Sequence, residues 1–116
     1  MEALCHSSGM NSSERETIER FHKLYYDLGH DRGGTWHDTY WMGTPILKCP
    51  LDMWIYQELI HEQKPDLIIE TGTWNGGSAL YMASLMDIIG HGRVITIDLD
   101  PQANLPEHPR ITYWKA

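Results

Sequence analysis

The chain has 116 residues, 41% of them hydrophobic and 22% charged, a composition that fits a single folded core and argues against disorder over most of its length. With 16 acidic against 9 basic residues the net charge is −7, so binding to nucleic acid through phosphate neutralisation is disfavoured. No apolar run approaches the ~20 residues of a membrane helix, the start MEALCHSSGMNSS has neither part of a signal peptide, and Cys5 and Cys49 form no disulfide framework, which predicts a cytoplasmic protein with reduced thiols and no membrane partner.

Residues 1–12 lack periodicity and read as a disordered leader, ahead of a domain over 13–116. Ser13 and Glu16 have the spacing of a capping box, and Ile18, Phe21, Leu24, Tyr25 and Leu28 then recur at helical intervals, with Gly29 as the stop. His30 to Pro50 has glycines, prolines and aromatics without a period, which predicts a long functional loop with a short strand near Thr44 to Leu47. A second helix is expected from Leu51 to Glu62, with Leu51, Trp54, Ile55 and Leu59 turned inward and Pro65 ending it. Leu67, Ile68 and Ile69 are a short apolar run of the kind buried on both faces of a parallel sheet. Ala79 to Ile89 is apolar almost all round, as in a helix packed on a sheet, and Gly90 and Gly92 end it. Val94 to Leu99 and Arg110 to Trp114 supply two further strands, separated by a turn-rich stretch from Pro101 to Pro109. Strands alternating with a helix in this way predict an α/β fold with a parallel sheet and right-handed crossovers, preceded by N-terminal helices.

The chemistry concentrates in IIETGTWNGGSALYMASL, from Ile68, and VITIDLD, from Val94. Gly72, Gly76 and Gly77 fall where a strand must turn into a helix, so the backbone there can come close to a ligand and the helix N-terminus can face it. A P-loop would read GxxxxGK, yet the turn has no lysine, and the dinucleotide spacing GxGxxG is also not met. What stands there is ExGxxxG, with Glu70 at the strand end. A carboxylate in that place repels a pyrophosphate and suits a cationic ligand such as S-adenosylmethionine. Asp98, at the end of the next strand, is placed to accept hydrogen bonds from ribose hydroxyls.

The run from WMGTPILKCPLDMWIYQELI through IIETGTWNGGSAL to VITIDLD resembles the cephalosporin hydroxylase and rhamnosyl O-methyltransferase family over about residues 36–114. The resemblance implies a Rossmann-like methyltransferase fold, S-adenosylmethionine as cofactor, and a hydroxyl-bearing sugar or antibiotic-like small molecule as acceptor. It implies cofactor contacts at Glu70, Gly72, Thr73, Asn75, Gly76, Gly77, Ser78 and Asp98, and places Lys48 in the active-site loop. Family members are about twice as long, so this chain corresponds to their N-terminal part, truncated after the third strand. The catalytic base and any divalent metal such as Mg would then depend on residues beyond Ala116. A sheet ending there has an open edge that can pair with other chains, including a second copy.

Plainer roles stand beside these. Ser78 can cap its helix, Trp74 can pack on an adenine or merely decorate a loop, Lys48 can be a solvated lysine, and Tyr56 and Gln57 are expected to pack. His30, His37 and Cys49 lack the spacing of a zinc site. The alternatives to an O-methyltransferase are a non-catalytic cofactor-binding or interaction module and, ranked last because no two-His-one-carboxylate set is present, a hydroxylase.

Overall fold

The computed structural model describes residues 9–27 and 36–116, which fall into two units, Met1–Thr35 and Trp36–Ala116. In the first unit, α1 spans Ser12–His22 and runs into a π-helical turn over Lys23–Asp27. It starts earlier than the sequence suggests. Asn11 Oδ1 accepts from the Glu14 amide at 3.0 Å while Glu14 Oε2 accepts from the Asn11 amide at 2.8 Å. Asparagine caps as well as serine does, and this reciprocal pair takes the place of Ser13 and Glu16. The carbonyl of Ser13 instead accepts the Thr17 hydroxyl at 2.8 Å. The last residues of the expected leader therefore belong to the helix start. Residues 1–8, and Gly29 as a stop, lie outside the described residues.

The second unit begins with a tied loop. The Thr39 hydroxyl donates to the Trp36 carbonyl at 2.9 Å, and the Thr39 carbonyl accepts the Ile46 amide at 2.9 Å. Between them β1 (Tyr40–Trp41) pairs antiparallel with β2 (Thr44–Pro45), joined through Met42 and Gly43 at φ of 48° and 82°. Two successive positive φ values are the mark of the hairpin turns that match strand twist. The strand expected to reach Leu47 stops at Pro45, and Leu47 itself takes a φ of 48°, outside the strand region.

Helix α2 spans Pro50–Gln63, with proline at its first position and Lys64 left-handed at its end. Its expected inner face is an error. Leu51, Trp54, Ile55 and Leu59 are all exposed, and the inward stripe is Met53, Gln57 and Ile60. The helix is apolar on more than one side, so spacing alone did not say which side faces α3.

Strands β3 (Leu67–Thr71), β4 (Arg93–Asp98) and β5 (Ile111–Lys115) form a parallel sheet in that order, and α3 (Gly77–Ile89) crosses over between β3 and β4. Ala79, Ala83 and Met86, spaced as one helical stripe, pack on Val94 of β4, with Ile68 and Ile111 beside it. This is a Rossmann-like α/β arrangement. Strand β3 is not buried on both faces as its apolar run suggests: it alternates, with Leu67 39% and Ile69 62% exposed. Ile69 is thus only partly covered, although it lines a cleft with residues of α2. Ile88, next to Asp87 on the largely apolar α3, is likewise exposed.

Candidate functional site

Parallel pairing puts the C-terminal ends of all three strands on one side. Strand alternation then sorts the row facing α3, because Ile68, Val94 and Ile111 give way two residues later to Glu70, Thr96 and Tyr113. The apolar core thus changes into a polar row as it reaches the edge where β3 turns into α3.

Two members of that row, Glu70 and Thr96, are wired together. Thr96, fully buried, donates its hydroxyl to Glu70 Oε2 at 2.8 Å and lies 2.7 Å from the hydroxyl of buried Thr73. The other oxygen of Glu70 accepts the Ser78 hydroxyl from the first turn of α3. The Tyr113 hydroxyl donates to the Pro106 carbonyl at 2.7 Å, and burial, with the nearby Glu70 charge, pushes its pKa from 10.0 to about 12.

The turn between β3 and α3 is held from the other side by Asp98. Its carboxylate accepts the Trp74 amide at 2.9 Å and the Asp100 amide at 3.0 Å, and those amides hold it below the usual carboxylate range. Gly72 closes the ladder onto the Ile97 carbonyl at 2.8 Å, and Gly76 closes the turn onto the Thr73 carbonyl at 2.8 Å. The turn's glycines differ in use. Gly72 has φ +87° and open space around its absent Cβ. At Gly76 a Cβ would lie 2.8 Å from Pro106 Cδ, and at Gly77 it would lie 2.2 Å from the Pro45 carbonyl oxygen. Close approach at those two positions is to the chain's own backbone and side chains, whereas only Gly72 leaves its approach open.

Beside Glu70 lies a cleft of about 300 Å³ between α2, β3, α3 and the loop before α2. Lys48, Tyr56, Glu70 and Ser78 supply its polar lining. Lys48 Nζ sits 5.9 Å from the Tyr56 ring centroid. Tyr56 is therefore a cleft residue and not the packing residue expected, while Gln57 lines a neighbouring groove. Trp74 is 38% exposed. Asn75 is half-buried in the turn. Cys49 is buried with a free thiol. Among the described residues no three His, Cys, Asp or Glu side chains gather as a metal site.

Residues 33–114 match the family model described as Rhamnosyl O-methyltransferase/CmcI. The chain belongs to this family. Among its relatives, a rhamnosyl O-methyltransferase of Mycobacterium leprae is 41% identical, over 86% of this chain and 44% of its own length. One from Mycobacterium tuberculosis is 43% identical, over 73% of this chain and 35% of its own length. An apo structure of CmcI superposes with a TM-score of 0.65 at 28% identity, covering 85% of this chain and 43% of that one. A CmcI structure described as Mg-SAM gives the same values. The chain thus spans less than half the length of each of these relatives.

Within the rhamnosyl O-methyltransferase/CmcI fold, the structure gathers Glu70, Gly72, Thr73, Asn75, Gly76, Gly77, Ser78 and Asp98 at one edge of the sheet, with Lys48 lining the same cleft as Glu70. Sequence reasoning missed Thr96 and Tyr113. The signal for Thr96 was a lone hydroxyl between two isoleucines of a buried strand, where a polar group needs a buried partner.

Proposed function

We propose that the chain forms the S-adenosylmethionine-binding half of an O-methyltransferase whose acceptor is a hydroxyl of a sugar or similar small molecule. The observation that carries this reading is the pair of carboxylates, Glu70 and Asp98, each fixed by hydrogen bonds on its own flank of the turn between β3 and α3. The names of the mycobacterial relatives and the Mg-SAM description of one CmcI structure point the same way.

The residues fit such a cofactor. Gly72 leaves space where any side chain would stand in the approach. A carboxylate has about four acceptor positions, so Asp98, with two taken by Trp74 and Asp100 amides, keeps others for a ribose diol. Glu70 offers a fixed negative charge toward the cleft, while Ser78 and Thr96 prevent it from swinging away. Thr73 is a positioning residue, its hydroxyl being used on Thr96, and Asn75, Gly76 and Gly77 contribute the shape of the turn. When bound, S-adenosylmethionine supplies an electrophilic methyl group on a sulfonium. The protein's part is to hold that methyl and exclude water, which is where much of the rate of a transfer between two bound groups arises. No helix among the described residues is long and apolar enough to cross a membrane.

Isothermal calorimetry with S-adenosylmethionine tests the reading, with nicotinamide dinucleotide as control. Wild-type protein is expected to bind the first and not the second. Asp98→Ala is expected to lose at least about tenfold in affinity, the worth of one good polar contact. Equal heats from wild type and variant, or binding of the dinucleotide instead, would remove the assignment.

A further inference from the structure

The connection from Asp98 to β5 is tied to α3 at both ends of that helix. Near the helix start, Pro106 backs the glycine turn so closely that a Cβ at Gly76 would lie 2.8 Å from Pro106 Cδ, and the Tyr113 hydroxyl holds the Pro106 carbonyl at 2.7 Å. Near the helix end, His108 Nε2 lies 3.0 Å from Asp87 Oδ2. Gly76 and Asp87 stand eleven residues apart, about 16 Å along a helix, yet only Glu107 separates the two contacts in the connection. A segment drawn out in this way has little slack, so a shift at His108 is passed to Pro106 and from there to the turn.

His108 is also the first residue of a tight turn, in which the Ile111 amide returns to the His108 carbonyl at 3.0 Å. Inside that turn the Arg110 amide lies 3.2 Å from His108 Nδ1. An amide can only donate, so Nδ1 is the acceptor and the imidazole proton belongs on Nε2, where Asp87 accepts it. The same carboxylate pairs through Oδ1 with the Arg110 guanidinium, which also reaches the Gly92 carbonyl at 2.8 Å. Glu107, beside His108 in the chain, is exposed. The His108 side chain is only 14% exposed, so water does not readily replace a lost partner. A second proton on the ring would set N–H against N–H at Arg110, and the Asp87 bond would survive only at the expense of the other.

We propose that His108 is a positioning residue for cofactor binding: as the neutral Nε2–H tautomer it latches the connection onto α3 and seats Pro106 behind the glycine turn, and protonation loosens that seat. Resting on the function proposed above, the ligand that feels the latch is S-adenosylmethionine, which meets the turn at Gly72 and Asp98. Histidine ordinarily gains its second proton between about pH 5 and 8. The turn thereby acquires a sensitivity to pH in that range from a residue at the far end of α3, outside the cofactor site.

Nitrogen NMR of the wild-type imidazoles at about pH 7.5 should find His108 as the Nε2–H tautomer, and an Nδ1–H tautomer would overturn the assignment. Calorimetry with S-adenosylmethionine then compares about pH 7.5 with about pH 5.5 for wild type and His108→Asn, an exchange that keeps an acceptor for the amide two residues on and takes up no proton. Wild-type affinity is expected to fall about fivefold or more on acidification, the worth of one lost hydrogen bond, while His108→Asn stays within about twofold over the same range. The wild-type fall should follow protonation of the His108 ring in the NMR spectra. A fall that follows another histidine, or that persists in His108→Asn, would make His108 a merely structural residue and overturn the proposal. Wild-type protein that binds no S-adenosylmethionine at either pH would sink the cofactor reading and the latch together. Tight binding that ignores the pH sinks the latch alone.

Discussion

At the scale of single residues, the turn after β3 shows that glycines of one motif can be required for unrelated reasons. At Gly77 an added Cβ meets backbone, the Pro45 carbonyl oxygen at 2.2 Å and Ile46 Cα at 2.8 Å, and backbone cannot step aside as a flexible side chain can. Gly77→Ala is therefore expected to cost about 2–3 kcal/mol, the range for overpacking a tight contact. Gly72→Ala meets nothing within 4 Å and carries only the strain of φ +87°, about 1 kcal/mol. Urea denaturation of the two variants separates the cases, and equal midpoints would contradict the close approach of α3 to β2. The motif as a string marks all three glycines alike. Only the fold tells that Gly77 anchors the hairpin and that Gly72 faces outward.

At the scale of elements, the strands and helices that pack on one another were legible and their orientation was not. The stripe Ala79, Ala83 and Met86 has one apolar partner surface, so periodicity and burial agree. In α2 the residues Leu51, Trp54, Ile55 and Leu59 are as apolar as the true inner stripe, and the choice between faces depends on α3, which local sequence does not encode. Strand β3 reads as doubly buried because Leu67, Ile68 and Ile69 are all apolar, yet only one face meets α3 in the described residues. Within the site, Glu70 and Asp98 were legible from strand ends and turn. The hydroxyl wiring was not, since Thr73 and Thr96 are far apart in sequence and meet only through the register of β3 with β4. Thr96→Val tests that wiring with almost no change of shape. It leaves Glu70 Oε2 and the Thr73 hydroxyl each short of a partner, so a loss of about 1–2 kcal/mol is expected in urea unfolding. Weaker S-adenosylmethionine binding should accompany it, because Glu70 loses one of its two anchors. Unchanged stability would mean that the buried hydroxyls do not constrain the carboxylate.

For the whole molecule, the same groups that shape the site set the limits of folding with pH. Asp98, held low by the Trp74 and Asp100 amides, and Asp87, held low first by the Arg110 guanidinium and also by His108, bind protons less readily when folded than when unfolded. Their stabilisation is complete above the unfolded value of 3.8 and is lost as pH falls through their depressed folded values. Tyr113, raised to about 12, and Tyr81, raised by burial while its hydroxyl donates to the Met53 carbonyl, work in the opposite sense. Each keeps its proton in the fold after the unfolded chain has lost it, so their contribution is complete below 10.0 and disappears as pH rises through the folded values. Stability measured in urea across pH should accordingly show an acid limb below about pH 4 and an alkaline limb above about pH 10. Asp98→Asn should flatten the acid limb in part, leaving Asp87 to supply the rest, and Tyr113→Phe should flatten the alkaline limb in part, leaving Tyr81 to supply the rest and the acid limb unchanged. An alkaline limb of undiminished slope in Tyr113→Phe would mean that the tyrosine beneath the glycine turn is open to water, against the burial that raises its pKa.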